Sequence, residues 1–280
     1  MSASASSKPC VFFAQGNCRN GSDCRFSHST ADPSPSVSHA PSPPVMINIP
    51  PGQPVFSMDV ECVATGVQHN ARSVAQVALV DEWSRPVFNA YIKQDAPVSS
   101  YIYELTGLTE QILNQYGLPL GTVTYGMVCM NALAFPSHAW NIHACLYCVA
   151  EAMAHLRAHL SPSAVLVGQS IQKDVQWLQL CEGVDYHSLV DLSGLFRVWN
   201  PSRDDFTNFS QDHCARVWIG IGDRSQHNAV TDAAISMSLF NAYRTLQWDP
   251  DRLEQMQKRT LSAPRVPGFS ALYPTIDGCW

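Results

Sequence analysis

At 280 residues and 46% hydrophobic side chains, the chain exceeds the usual single-domain size and can bury one substantial core plus a small module. It lacks the run of about twenty apolar residues that a membrane helix needs, and MSASASSKPC has neither a charged start nor an apolar stretch, so neither membrane anchor nor signal peptide is expected. The net charge is −6, and residues 58–280 alone hold 14 basic and 21 acidic side chains, so that part of the chain is not expected to bind nucleic acid tightly by bulk electrostatics.

The first predicted element is metal-built. Cys10, Cys18, Cys24 and His28 stand in a C-x7-C-x5-C-x3-H pattern, three thiolates and an imidazole at zinc-ligand spacing. So short a segment has no core of its own, and a Zn2+ ion would offset its ordering entropy. The spacing, Gly16, Gly21 and the aromatic residues resemble the CCCH zinc finger family over residues 1–28. That resemblance implies single-stranded RNA binding, with Phe13 and Phe26 stacking on bases and Arg19 and Arg25 meeting phosphates. A zinc module used for protein contacts is the competing reading. Most of the ten cysteines then need no disulfide; Cys62, Cys181, Cys214 and Cys279 are expected as core or incidental residues.

Residues 29–53 are dominated by Ser, Pro and Ala with almost no charge, and predict a disordered linker with extended polyproline character. Its Ser-Pro pairs suit either phosphorylation or plain turn-rich linker composition.

A buried strand is predicted over 54–63, with acid in its middle. Strand residues two apart share a side, so Asp59 and Glu61 present their carboxylates together, an arrangement that calls for a cation between them. Carboxylate oxygens suit Mg2+ or Mn2+. The alternative is a solvent-facing acidic strand edge. Strands over 73–80 and 86–93 follow, then a helix over 109–115.

Residues 121–149 break the pattern. The segment holds no charged residue, and joining Leu120 to Ala150 would give the continuous GLPLAEAMAHLRAHL. It reads as a retained intron translated in frame, its opening Gly-Thr-Val being compatible with a splice donor. A second zinc site from Cys145 and Cys148 with His138 or His143, and a hydrophobic flap over a groove, are the rival readings.

After a helix over 150–160, a strand over 164–168 leads into a helix over 171–179 with Asp174 in its first turns; a surface carboxylate favoured by the helix dipole is the alternative there. A strand over 188–192 and helices over 193–199, 210–218 and 228–246 complete the order. The second of these helices is expected to pack through Phe209, Val217 and Trp218, and the Trp199-Asn200-Pro201 run to end the first. His227 sits at the entry of the last helix and Asp232 early within it. For His227 the competing reading is a buried structural histidine, a role His155 or His159 fits better. Residues 249–280 are expected as a C-terminal extension, a charged helical continuation and then a loosely packed tail. Three early strands followed by alternating helices and strands give an α/β fold, a mixed five-stranded sheet flanked by helices.

The segments FSMDVECVATG, VGQSIQKDVQWL and HNAVTDAA are similar to the three motifs of the DEDDh exonucleases, which have an RNase H-like fold. LTGLT at 105–109 and SVAQVALVD at 73–81 resemble the intervening segments. Over about residues 54–248 the style is that of the eukaryotic RNA exonuclease branch. The resemblance implies 3′-to-5′ release of nucleoside 5′-monophosphates from single-stranded nucleic acid. Asp59, Glu61, Asp174 and Asp232 would hold two Mg2+ or Mn2+ ions, His227 would be the general base, and Thr106, Gly107 and Leu108 would line the terminal-nucleotide pocket. A DNA exonuclease, or an RNA-binding protein with an inactive nuclease domain, are the other readings. The partner is expected to be single-stranded RNA, or DNA on the second reading. An intracellular protein is expected, with the nucleus slightly favoured over the cytoplasm by likeness to processing enzymes. Oligomeric state has no signature in the sequence.

Overall fold

The computed structural model describes residues 45–68, 70–120, 152–222, 224–267 and 272 in full, and residues 6–9 and 26–27 by their backbone. The chain divides into two compact units, Met1–Pro43 and Pro44–Trp280.

In the first unit, β1 (Ser6–Pro9) and β2 (Phe26–Ser27) pair in parallel, Ser6 opposite Phe26 and Pro9 opposite Ser27. The residues adjoining Cys10 and His28 therefore face each other. The expected zinc ligands Cys10, Cys18, Cys24 and His28, the expected RNA contacts Phe13, Arg19 and Arg25, and the side chain of Phe26 lie outside the described residues.

The second unit is built on β3 (Val55–Ala64), β4 (Arg72–Asp81), β5 (Pro86–Tyr91), β6 (Val165–Gly168) and β7 (Ser188–Asp191). Their order is β5-β4-β3-β6-β7, with β3, β4 and β5 antiparallel and β6 and β7 parallel to β3. This is the mixed five-stranded α/β sheet expected from the sequence. Strand alternation sorts the core onto its two faces. Val55, Val165 and Val167 meet α7 (Ala229–Leu246) on one face. Met58, Val60, Leu79 and Leu166 face the other side, with α3 (Ala152–His159) and α4 (Gln172–Trp177). Each such buried aliphatic side chain contributes about 1.5–3 kcal/mol.

Short helices α1 (Tyr103–Thr106) and α2 (Glu110–Tyr116) follow β5; Thr109 caps α2 by accepting from the Ile112 amide. The flanks of the segment 121–149 meet directly. Ala152 N donates to Pro119 O at 2.9 Å and Met153 N to Leu120 O at 3.2 Å. If Leu120 were joined to Ala150, both bonds would have the four-residue spacing of an α-helix. The segment itself, including Cys145, Cys148, His138 and His143, lies outside the described residues.

Several expectations are corrected. The helix expected over 193–199 is a single turn, α5 (Leu192–Leu195), followed by a hairpin of β8 (Val198–Asn200) and β9 (Asp205–Thr207). Pro201 disfavours helical geometry at Asn200, and Val198 is β-branched, so the chain extends instead. The histidine buried for structure is neither His155 nor His159, which are exposed. It is His213 in α6 (Gln211–Trp218), stacked on Phe209, with its Nε2 2.8 Å from Thr260 O. The region after Trp248 is no continuation of α7. Asp249 caps a separate helix, α8 (Pro250–Ser262), with Leu253 and Thr260 buried.

The chain also joins the fold before residue 54. Ile47 N donates to Gln247 Oε1 at 2.8 Å, Gln247 Nε2 donates to Ile47 O at 3.1 Å, and Ile47 and Ile49 pack on the α7 side of the core. Phe209 and Val217 are buried, with Trp218 packed against them. Cys62 is half-buried, Cys214 buried and Cys181 exposed. Among the described residues no helix is long and apolar enough to cross a membrane.

Candidate active site

Asp59 and Glu61 share the face of β3 that carries Val55, so both point beneath the N-terminal end of α7. In register they lie opposite Ala78 and Gln76 of β4, and a bulge follows Glu61. Asp174 enters from the first turn of α4, which starts just past β6. Two local features bring that turn close to β3. A Cβ at Gly168 would sit 2.9 Å from Met58 O and 3.2 Å from Ile171, so only glycine allows the approach. Ser170 adopts φ 56° while its amide donates to Asp191 Oδ1 at 2.9 Å, a left-handed position held by the cap of α5.

His227 and Asp232 come from the start of α7. Asn228 caps this helix through the Val230 amide at 3.1 Å, which leaves His227 one residue outside it and Asp232 in its first turn. The loop is clipped to residues 103–107: His227 N donates to Leu105 O at 2.6 Å and Gln226 Nε2 to Tyr103 O at 3.1 Å. Gly107 is in the left-handed region at φ 65°, with Gln226 Oε1 3.2 Å from where a Cβ would stand. Thr106 and Leu108 turn inward. The Thr106 hydroxyl donates to Tyr101 O at 2.9 Å, and Leu108 packs with Val63, Ala75 and Leu113. What this segment offers the site is backbone, together with the exposed ring of Tyr103.

Glu61, His227 and Asp232 form the tight group, with one ligating atom of each within 4.8 Å of the others. His227 Nδ1 lies 2.7 Å from Asp232 Oδ2. Asp59 and Asp174 lie within Coulombic reach of the group. Glu61, Asp174 and Asp232 are buried, and Asp59 keeps partial solvent access.

Burial pushes Glu61 up to about 8, with the charge of Asp59 adding and that of Arg224 opposing. It pushes Asp59 up to about 7 against the pull of Arg224; partial access to water makes this the softer shift. Asp174 is driven well above the carboxylate range, by burial first and then by Asp59 and Glu61. Such carboxylates hold either protons or a cation. The donor set, all hard oxygens apart from one imidazole, fits Mg2+ or Mn2+. For His227 burial and Arg224 lower the pKa while Asp212 raises it, and the net shift is downward, which keeps the ring neutral at pH 7.

Two residues of this site were not legible as motif members. Asp212, in the first turn of α6, places Oδ2 3.8 Å from His227 Nε2. Arg224 pairs with both Asp212 and Asp232. The only signal for either was proximity: Arg224 lies three residues before His227, and Asp212 follows the Ser210 helix cap.

Residues 10–28 match the model of a zinc finger domain of the CCCH type. The chain is similar to Small RNA degrading nuclease 3 of Arabidopsis thaliana, 22% identical over 227 residues, covering 77% of this chain and 24% of that protein. It is also similar to RNA exonuclease 5 of Homo sapiens, 23% identical over 219 residues, covering 77% of this chain and 23% of that protein. The chain thus spans about a quarter of the length of the curated relatives it matches. Among solved structures, the Neurospora crassa Pan2 catalytic unit (protease and nuclease domain) aligns with a TM-score of 0.52 at 14% identity, over 79% of this chain and 32% of that one. The Saccharomyces cerevisiae Pan2 pseudoubiquitin hydrolase-RNA exonuclease module in complex with AACCAA RNA aligns at 0.51 and 11% identity, over 76% and 33%. The fold is that of the Pan2 exonuclease domain.

Proposed function

We propose that this chain is a divalent-metal-dependent exoribonuclease that removes nucleoside 5′-monophosphates from the 3′ end of single-stranded RNA, and that its N-terminal zinc finger captures the substrate. The observation that carries the reading is the meeting of buried carboxylates from β3, α4 and α7 beside His227, on a fold shared with a nuclease domain. The similarity to proteins named as RNA nucleases supports RNA over DNA.

On this reading Asp59, Glu61, Asp174 and Asp232 would hold two Mg2+ or Mn2+ ions, which when bound would supply positive charge for phosphodiester hydrolysis. His227 supplies the base. Its Nδ1 is engaged by Asp232, so Nε2 accepts the proton from the attacking water, and Asp212 beside Nε2 stabilises the imidazolium that results. A ring held neutral by burial suits this duty at pH 7. The terminal nucleotide lies along residues 105–108, whose backbone is clipped to the His227 loop, so base and substrate are positioned as one unit. The finger, with one Zn2+ on Cys10, Cys18, Cys24 and His28, compensates for the acidity of the larger unit by raising the local concentration of RNA. A nuclear site of action fits the same reading.

Incubation of 5′-labelled single-stranded RNA and DNA with Mn2+ or EDTA tests it. RNA ladders shortening from the 3′ end are expected with Mn2+ alone, and Asp59→Ala should slow them by on the order of 100- to 1000-fold. Tight RNA binding with no ladder in Mn2+ would make the chain a binding protein instead.

A further inference from the structure

Arg224 is the cation of the acid cluster, and its contacts divide between two carboxylates. Nε and Nη2 donate to Asp212 Oδ1 at 3.0 and 2.6 Å, and Nη2 also donates to Gln211 Oε1 at 2.9 Å. Nη1 pairs with Asp232 Oδ1. The Arg224 side chain is 13% exposed, so water screens these contacts weakly. Its charge favours ionised Asp59 and Glu61 as well. Asp232 is thus claimed three ways: Oδ2 by His227, Oδ1 by Arg224, and the whole group by the divalent ion of the proposed reading.

A guanidinium and a divalent ion held by the same carboxylate would stand only a few ångströms apart, and two cations that close in a dry pocket repel each other. The other half of the guanidinium has its own anchor on Asp212 and Gln211, both carried by α6, an element that supplies none of the four proposed metal ligands. We propose that Arg224 is a positioning residue that competes with the divalent ion for Asp232, swinging onto its Asp212 anchor when the ion binds. The arginine balances the carboxylates until metal arrives and sets the concentration at which it does. This rests on the two-metal reading above.

The test is a Mn2+ titration of the full chain by calorimetry, paired with thermal unfolding in EDTA and in saturating Mn2+. Arg224→Gln should bind Mn2+ tighter by about ten- to a hundredfold, the scale on which a neighbouring unit charge acts. It should also melt earlier in EDTA, where four carboxylates lose their counter-ion, and draw level with the native chain in Mn2+. Arg224→Lys keeps the charge without the fork, and should lie between the two in affinity; it carries the test if the glutamine variant does not fold. Unchanged or weaker Mn2+ binding by Arg224→Gln, alongside a native chain that binds, overturns the competition and leaves the two-metal reading standing. Absence of Mn2+ binding in the native chain and in both variants overturns both.

Discussion

The two faces of β3 do different work with the same backbone. On one, Met58 and Val60 enter a wholly apolar cluster beneath α3 and α4. On the other, Ser57, Asp59 and Glu61 lie under α7, and the acids are pushed up to about 7 and about 8. Alternation by two residues lets a single strand hold the sheet together with every second side chain and build a charged pocket with the rest. The lesson is that the stabilising and acting residues are interleaved in sequence yet separated by the thickness of the sheet, so mutations one position apart should have opposite signatures.

The largest effect expected from that contrast is at Met58, which is fully buried. Met58→Ala should cost about 2–5 kcal/mol in urea unfolding, while activity per folded molecule stays near native. Asp59→Asn should invert this, losing activity while keeping or gaining stability in EDTA, because it removes a charge held against burial. Equal destabilisation by the two would break the comparison.

A smaller effect sharpens it through pH. The folded-state values of Asp59 and Glu61 lie above the ordinary carboxylate range near 4, so the folded chain holds more protons than the unfolded chain between about pH 4 and 8. In EDTA the stability from these groups is therefore fully present at the acid end of that window and is lost as pH rises through it. In saturating Mn2+ the ionised form is the one bound, and stability should rise with pH instead. Urea midpoints taken across the window, with and without Mn2+, read both slopes.

The smallest effect concerns residues 121–149. Because Ala152 and Met153 already bond to Pro119 and Leu120, deletion of the segment should leave the melting temperature and Mn2+ affinity unchanged. A large drop in either would show that the segment belongs to the core. Sequencing spliced transcripts across the junction tests its origin, and a message that always carries the segment would defeat the retained-intron reading.

Where local pattern and tertiary demand agreed, the sequence was legible. The Val, Phe and Met content of 54–63 predicted β3, the two-residue strand repeat paired its acids, and the helical spacing after Asn228 predicted α7 and the placement of Asp232. The β8–β9 hairpin was missed because three-residue strands carry too few residues to show a period. Val45–Ile49 were assigned to the linker because a proline-rich composition masks two isoleucines that dock on α7. Arg224 and Asp212 escaped for another reason. Their roles depend on which loops meet in space, and a lone arginine or aspartate carries no spacing rule that would announce it.

Backbone amides in a helix count residues, and across Pro119–Met153 the count resumes as if the intervening stretch were absent. Two flanks that close with a repeat of four after subtraction of what lies between them form a ready join, at which a shortened chain can run on as one helix with no new loop to build.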